Sequence, residues 1–302
     1  MKTTLRFTFD VGPEKADAIL IPAGCGPDVA EVSPGFDNYD ENGNFLYSDE
    51  WVELTLEEND ERVPKLMGLL ASLGIEPDVT RMREYSEEDR QNARLLLMKP
   101  TKIFVHGTAS ELGTKYDLTH ACPHCGTGAK QTWYLRVKRK ELPKIQQHRA
   151  IMTFDLNILV DATMQKLLVD AGMTGISFAE VHARDDFGEW NAIDREQILI
   201  EHTMPPMRAE FPAADDYALC KVCRRGGRLT IPDHAYREED LAGLKDFNRT
   251  WEWFDHYLYG GEARHATFAH PRIMVTPKVM HVFREAGVTS FDWWPVGIAP
   301  ST

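Results

Sequence analysis

Ile158-Leu-Val-Asp-Ala-Thr-Met-Gln-Lys-Leu-Leu-Val-Asp-Ala-Gly-Met-Thr-Gly-Ile-Ser-Phe-Ala-Glu-Val181 aligns without a gap onto Ile273-Met-Val-Thr-Pro-Lys-Val-Met-His-Val-Phe-Arg-Glu-Ala-Gly-Val-Thr-Ser-Phe-Asp-Trp-Trp-Pro-Val296. The offset is 115 residues throughout, from 158 to 273 and from 181 to 296. Six of the 24 pairs are identical: Ile158/Ile273, Val160/Val275, Ala171/Ala286, Gly172/Gly287, Thr174/Thr289 and Val181/Val296. Each copy reads as a strand, an amphipathic helix, a glycine stop and a second strand. Asp161 and Thr276 stand at the N-cap positions, and Pro277 occupies the first helical position of the second copy, where its missing N–H costs nothing. Two generic segments of this type can converge, but a gapless match with a shared Ala-Gly stop and a shared terminal valine favours a duplicated unit.

Working outward, a cysteine pair precedes each copy. Cys122-Pro-His-Cys125-Gly126 lies before the first and Cys220-Lys-Val-Cys223-Arg-Arg-Gly226 before the second, while Cys25 stands alone in a Gly-rich stretch. Five cysteines with two short spacings argue against a secreted disulfide framework and for a reducing compartment, by default the cytoplasm. Each pair has the form of a zinc knuckle, a tight turn in which glycine lets backbone amides point at the sulfurs. Two knuckles supply four thiolates, the number a closed tetrahedral structural zinc site takes, so Cys122, Cys125, Cys220 and Cys223 are the expected ligands of one Zn²⁺ per chain. The 94 residues between Cys125 and Cys220 exceed ordinary ribbon spacing, so a subdomain must begin and end at the metal.

Two rival readings remain beside zinc. Cys-Pro-His-Cys also serves thiol oxidoreductases, but there a helix N-terminus follows, whereas Gly126-Thr-Gly and the strand-like Gln131–Val137 follow here. The other rival is four simply buried thiols. A zinc deaminase is excluded by its own grammar, since the chain contains no His-x-Glu.

The chain has 302 residues, 43% hydrophobic and 27% charged, with a net charge of −13. Residues 1–60 hold 14 acidic and 3 basic residues, so the acidity belongs to the N-terminal fifth. That part alternates as strands do in Lys2–Asp10 and Glu50–Leu56, is turn-rich over 33–50, and shows helical spacing from Glu61 to Gly74. Ala16–Pro22 reads as a strand or a short helix. A helix capped by Ser86 is expected to run through Leu95, Leu96 and Leu97 towards Pro100, and Thr101–Gly107 reads as a strand with His106 near its end. Met204–Met207 and Phe211–Asp216 read as loops, and Arg249–Tyr259 as an aromatic segment of core or cleft. No apolar run reaches the ~18 residues of a membrane helix. The expectation is an α+β protein: an acidic N-terminal α/β lobe over 1–115, then, over 116–302, two strand-helix-strand repeats (158–181 and 273–296) stapled by a four-cysteine zinc ribbon.

The two knuckles, together with Ile273-Met-Val-Thr-Pro-Lys-Val, Phe283-Arg-Glu-Ala-Gly-Val and Pro295-Val296, resemble the double-CXXCG motif proteins and related immunity-type proteins of bacterial toxin systems. The second knuckle departs from the pattern, with Arg224 where glycine is expected and glycine at 226. The resemblance implies a zinc-stabilised cytoplasmic scaffold that binds a toxin protein rather than a catalyst. The charge is consistent with that: an acidic lobe suits a basic partner such as a nuclease. The alternative is nucleic-acid binding through Lys138, Arg139, Lys140, Arg224, Arg225 and Arg228, which the zinc would gather into one positive patch. Against it stands charge compensation, since cations near a zinc-tetrathiolate centre neutralise its double negative charge. Histidines 106, 182, 202, 256, 265 and 270 follow no recognised catalytic spacing, so no enzymatic activity is expected.

Overall fold

The computed structural model describes residues 2–12, 16–40, 45–101, 104–105, 112–185, 187–208, 219–227, 231, 234–254 and 269–301. His106, His256, His265, Arg228, the Phe211–Asp216 loop and the end of the aromatic segment lie outside them. The chain divides into two compact units, Met1–Ser86 and Glu87–Thr302.

In the first unit the order is β1 (Lys2–Val11), α1 (Ala16–Ala23), β2 (Ala30–Tyr39), β3 (Phe45–Glu57), α2 (Arg62–Ser72) and β4 (Asp78–Glu84), with one antiparallel sheet ordered β2-β3-β1-β4. Strict alternation fixes which face is covered. Leu5, Phe7 and Phe9 of β1 stand opposite Leu56, Leu54 and Val52 of β3, and this row packs with Ile19 and Leu20 of α1 and Leu66 and Leu70 of α2. Residues 33–50 are less loop-like than expected. Most of them belong to the β2–β3 hairpin, which accommodates Pro34 and Gly35 by a register shift between Pro34 and Asp37.

The second unit runs α3 (Glu87–Asn92), β5 (Leu96–Pro100), β6 (Phe104–Val105), β7 (Tyr116–Asp117), β8 (Lys130–Gln131), β9 (Leu135–Val137), α4 (Leu142–Gln146), β10 (Ala150–Thr153), β11 (Ile158–Val160), α5 (Ala162–Asp170), β12 (Ile176–Arg184) and β13 (Trp190–Ile200). It continues with β14 (His234–Arg237), β15 (Phe247–Phe254), β16 (His270–Val275), α6 (Pro277–Glu285), β17 (Phe291–Pro295) and β18 (Gly297–Ala299). Its two main sheets are ordered β6-β10-β11-β13-β12-β9 and β15-β16-β5-β17.

The aligned segments fold alike, each in its own sheet. Helix α5 spans 162–170 and α6 spans 277–285, the same bounds at the 115-residue offset. Gly172 and Gly287 end them in the left-handed region at φ 61° and 74°. The Asp161 carboxylate accepts the Met164 amide at 2.6 Å, whereas Thr276 occupies the cap position without a side-chain cap bond. In both halves an antiparallel strand lies between the two strands of the repeat. Ile158, Leu159 and Val160 pair with Ile198, Gln197 and Glu196, while Ile273, Met274 and Val275 pair with Met98, Leu97 and Leu96. On the other side Ile176–Glu180 pair with Ile200–Glu196, and Phe291–Pro295 pair with Pro100–Leu96. The register is therefore shared, with 196–200 matching 96–100.

This topology corrects two expectations. The helix that starts after Ser86 stops at Asn92, because Leu96–Pro100 is recruited as a central strand by β16 and β17. The division between units consequently falls at 86/87 and not at 115. One apolar core joins the two halves: Met164 and Leu168 of α5 with Val279, Met280 and Phe283 of α6, flanked by Leu96, Met98, Ile158, Val160, Ile273 and Val275.

Candidate metal centre

The first cysteine turn closes through Cys122 N–H to Thr127 O (2.8 Å) and Gly126 N–H to Cys122 O (2.9 Å). The second closes through Cys220 N–H to Gly226 O (2.7 Å) and Arg224 N–H to Cys220 O (2.9 Å). Each turn needs a left-handed residue just after its second cysteine. Gly126 takes φ 70° and, in the second turn, Arg224 takes φ 58°. The glycine at 226 serves a different purpose. A Cβ there would lie 2.6 Å from Cys125 Sγ and 2.5 Å from Thr127 Oγ1, so Gly226 is where the two turns touch.

That contact brings the four sulfurs together, all within 4.8 Å of one another. Cys122 and Cys220 are 3.8 Å apart and Cys125 and Cys223 3.5 Å apart. A disulfide requires about 2.05 Å. The edge of a tetrahedron of sulfurs around an ion at about 2.3 Å is about 3.8 Å. The cluster has the second geometry, and all five cysteines of the chain are free thiols. His120 and His124 lie beside the first turn but do not belong to the ligand cluster, which consists of cysteines alone.

The protonation energetics point the same way. Burial pushes the Cys125 thiol up despite the Thr127 hydroxyl at 3.1 Å, and burial likewise raises Cys220. Cys223 feels the same desolvation, yet the amides of Arg225 and Gly226 and the neighbouring Cys125 and Cys122 bring it down to about 7. Four thiols packed this closely do not ionise together without a cation, and backbone donors already aimed at sulfur stabilise the thiolate form. The arrangement can hold one metal ion, with every tetrahedral position filled by protein.

Both turns are fastened to the second half, where Ala121 and Ala129 of the first turn pack near Trp253 and Ala269 and the Ala269 amide donates to Cys125 O, and the first turn is tied to the first half as well. After the first turn, Gln131 forms a reciprocal amide pair with Gln197 of β13, at 2.8 and 2.9 Å. After the second turn, Arg225 stacks 4.3 Å from the Trp251 ring, donates twice to Trp251 O (2.8 and 3.1 Å), and accepts through its own carbonyl from Trp253 N–H. An ion shared by the two turns would add a further link between β13 and β15.

Arg225 is committed to Trp251, Arg224 is exposed at the strained turn, and Lys138, Arg139 and Lys140 leave the end of β9. Among the histidines, His182 stacks on Tyr134 at 3.6 Å and His202 bonds Asn248 at 2.7 Å, both structural uses. Sequence spacing did not disclose a second cluster around Arg136, whose guanidinium lies 4.5 Å from the Trp190 ring and 5.2 Å from Trp133. Those residues meet only because β9 and β12 pair in parallel and β12 turns back into β13. Among the described residues, no helix is long and apolar enough to cross a membrane. Compared with models of known protein families and with curated proteins, the chain matches none.

Proposed function

We propose that this chain is a non-catalytic binding protein whose Glu87–Thr302 unit is stapled by one structural Zn²⁺, and that its acidic Met1–Ser86 unit docks a basic protein. The observation that carries the first part is the closed set of four cysteine sulfurs, which leaves no coordination position for water or substrate. All-thiolate donors at tetrahedral spacing suit zinc, a soft-tolerant ion without redox chemistry of its own. When bound, the ion contributes cross-linking and nothing else. The chain's residues do the remaining work: amides stabilise thiolate, Gly226 allows close approach, and Gln131 and Arg225 anchor the turns.

Charge supports the second part. Residues 1–86 carry 18 acidic and 7 basic residues, a net of −11 out of the chain's −13. Several of those bases are already engaged locally, as in Lys2–Glu57, Arg6–Glu53, Arg62–Asp60 and Arg81–Glu58. The uncompensated excess would steer a cationic partner and accelerate its association. An immunity-type protein that neutralises a bacterial toxin fits this combination of rigid scaffold and acidic surface.

Elemental analysis of purified protein is expected to find one zinc per chain, and chelation is expected to lower the melting temperature by tens of degrees, since a structural zinc contributes on the order of 10 kcal/mol. Protein without metal, showing a dithiol–disulfide transition in its place, would overturn the staple. Mixing with candidate basic toxins is expected to give a salt-sensitive complex; no complex with any of them at low ionic strength would end the docking reading.

A further inference from the structure

We propose that the open cleft at the carboxyl ends of β9 and β12 binds a nucleotide, either free or as part of a single strand. The cleft has a volume of about 580 Å³, within the range of small-molecule sites and far larger than a bare oxyanion needs. Parallel pairing of Val181–Ala183 with Leu135–Val137 brings both strand ends to one edge. Lys138, Arg139 and Lys140 follow the end of β9, and Arg184 ends β12, so four cations line one opening. Among the described residues no carboxylate pairs with Lys138, Lys140 or Arg184. The Arg184 Nε donates to Gly188 O at 2.8 Å, which fixes the guanidinium at the rim.

Among the described residues one acid lines the cleft, and it is already occupied. The Asp185 carboxylate accepts the amides of Phe187 and Glu189, both at 2.9 Å, and the Asn191 side chain at 2.7 Å. The rest of the wall is apolar, formed by Leu112, Val137 and the Trp190 indole, which Arg136 braces at 4.5 Å. A flat aromatic surface beside clustered cations is the chemistry that takes a base and its phosphate together. An acidic peptide would use the cations alone, whereas a base can also cover the part of the indole that lines the cleft. The surrounding unit has a net charge of only −2 and the other unit −11, so phosphate attraction is local to this cleft. The inference depends neither on the metal nor on the acidic unit.

Fluorescence anisotropy of the full-length, metal-replete protein, titrated separately against a fluorescein-labelled oligouridylate and a fluorescent ADP analogue, tests it. At least one probe is expected to bind, weakening with salt at a slope near −2, as about three neutralised phosphates on a single strand require. Binding of the oligonucleotide alone identifies a strand; equal binding of the ADP analogue identifies a free nucleotide. The double substitution Lys138→Glu/Lys140→Glu is expected to weaken binding about tenfold or more, with Lys221→Glu near the second cysteine turn changing it by less than about twofold. Both sets lie at solvent-accessible positions, and a melting curve confirms folding. Trp190→Leu is expected to weaken the ADP analogue while leaving competition by inorganic pyrophosphate unchanged. Absence of binding by both probes, insensitivity to the double substitution, or equal displacement by a polyglutamate peptide would each overturn the proposal.

Discussion

In residues 150–200 the strand that completes the sheet, β13, follows directly after the strand-helix-strand repeat it joins, whereas the matching strand of the other half, β5, comes from 96–100 and precedes its partners by most of the second unit. Both halves nevertheless share register and the left-handed glycine that ends each helix. Even the bonds that bracket the central strands correspond: Glu201 N–H to Gly175 O in one half and Thr101 N–H to Ser290 O in the other, each 3.0 Å. The packing solution is thus independent of the order in which the chain supplies its pieces. The cost falls on chain entropy, since closing the second half requires joining remote segments. An ion held by the four cysteines would cross-link residues 122–125 to 220–223, which lie between those remote segments, and so would offset part of that cost.

The strongest test of this difference is a pair of truncations. A fragment beginning at Glu87 retains β5 and is expected to fold with a cooperative melt. One beginning at residue 116, where the expected zinc-knuckle region starts, lacks the central strand of the second half. It also lacks Leu96 and Met98, both nearly inaccessible in the joint core. Loss of each such side chain costs about 2–5 kcal/mol, which together rivals the whole stability of a typical domain. A cooperative near-UV melt from the shorter fragment would show that β5 is dispensable.

A smaller effect separates equivalent positions. Gly175 and Ser290 correspond, and each faces a carbonyl of the opposite half, Phe247 O and Ala150 O, themselves equivalent through pairing with Val275 and Val160. Ser290 Oγ donates to Ala150 O at 2.6 Å. Gly175 has φ 83°, and a Cβ there would stand 2.3 Å from Phe247 O. Gly175→Ala is therefore expected to cost about 3 kcal/mol, from left-handed strain plus overpacking. Ser290→Ala forfeits one buried hydrogen bond, about 1 kcal/mol. Denaturant titration of the two variants measures the contrast, and equal losses would mean that the halves do not pack through these carbonyls.

The sequence disclosed the parts of this architecture that are local. Strand-helix-strand periodicity, the Asp161 cap and the cysteine spacing each depend on neighbours within a few residues. The place of Leu96–Pro100 was hidden because a leucine run after an acidic, serine-led stretch satisfies helical grammar equally well; β16 and β17 decide otherwise. Gly226 likewise looked like a turn glycine, and its contact with Cys125 appears only when the two turns meet. The cationic cleft was half visible, as Lys138–Lys140, because Arg184 and Trp190 join it through strand pairing rather than spacing.

The finest comparison is between the cysteine turns. Cys122 and Cys220 stand 98 residues apart, as do Cys125 and Cys223, and the same spacing matches Gly126 to Arg224. Both hold the left-handed backbone that the turn requires, at φ 70° and 58°, but an arginine pays about 1 kcal/mol for a conformation that glycine adopts freely. Arg224→Gly is expected to stabilise the metal-bound protein by up to about 1 kcal/mol, less the entropy that glycine adds to the unfolded chain. Gly126→Ala is expected to destabilise by a similar amount. Opposite signs in chemical denaturation would make the two turns conformational equivalents. A destabilising Arg224→Gly would instead show that the arginine side chain, exposed as it is, holds something in place that outweighs its backbone strain.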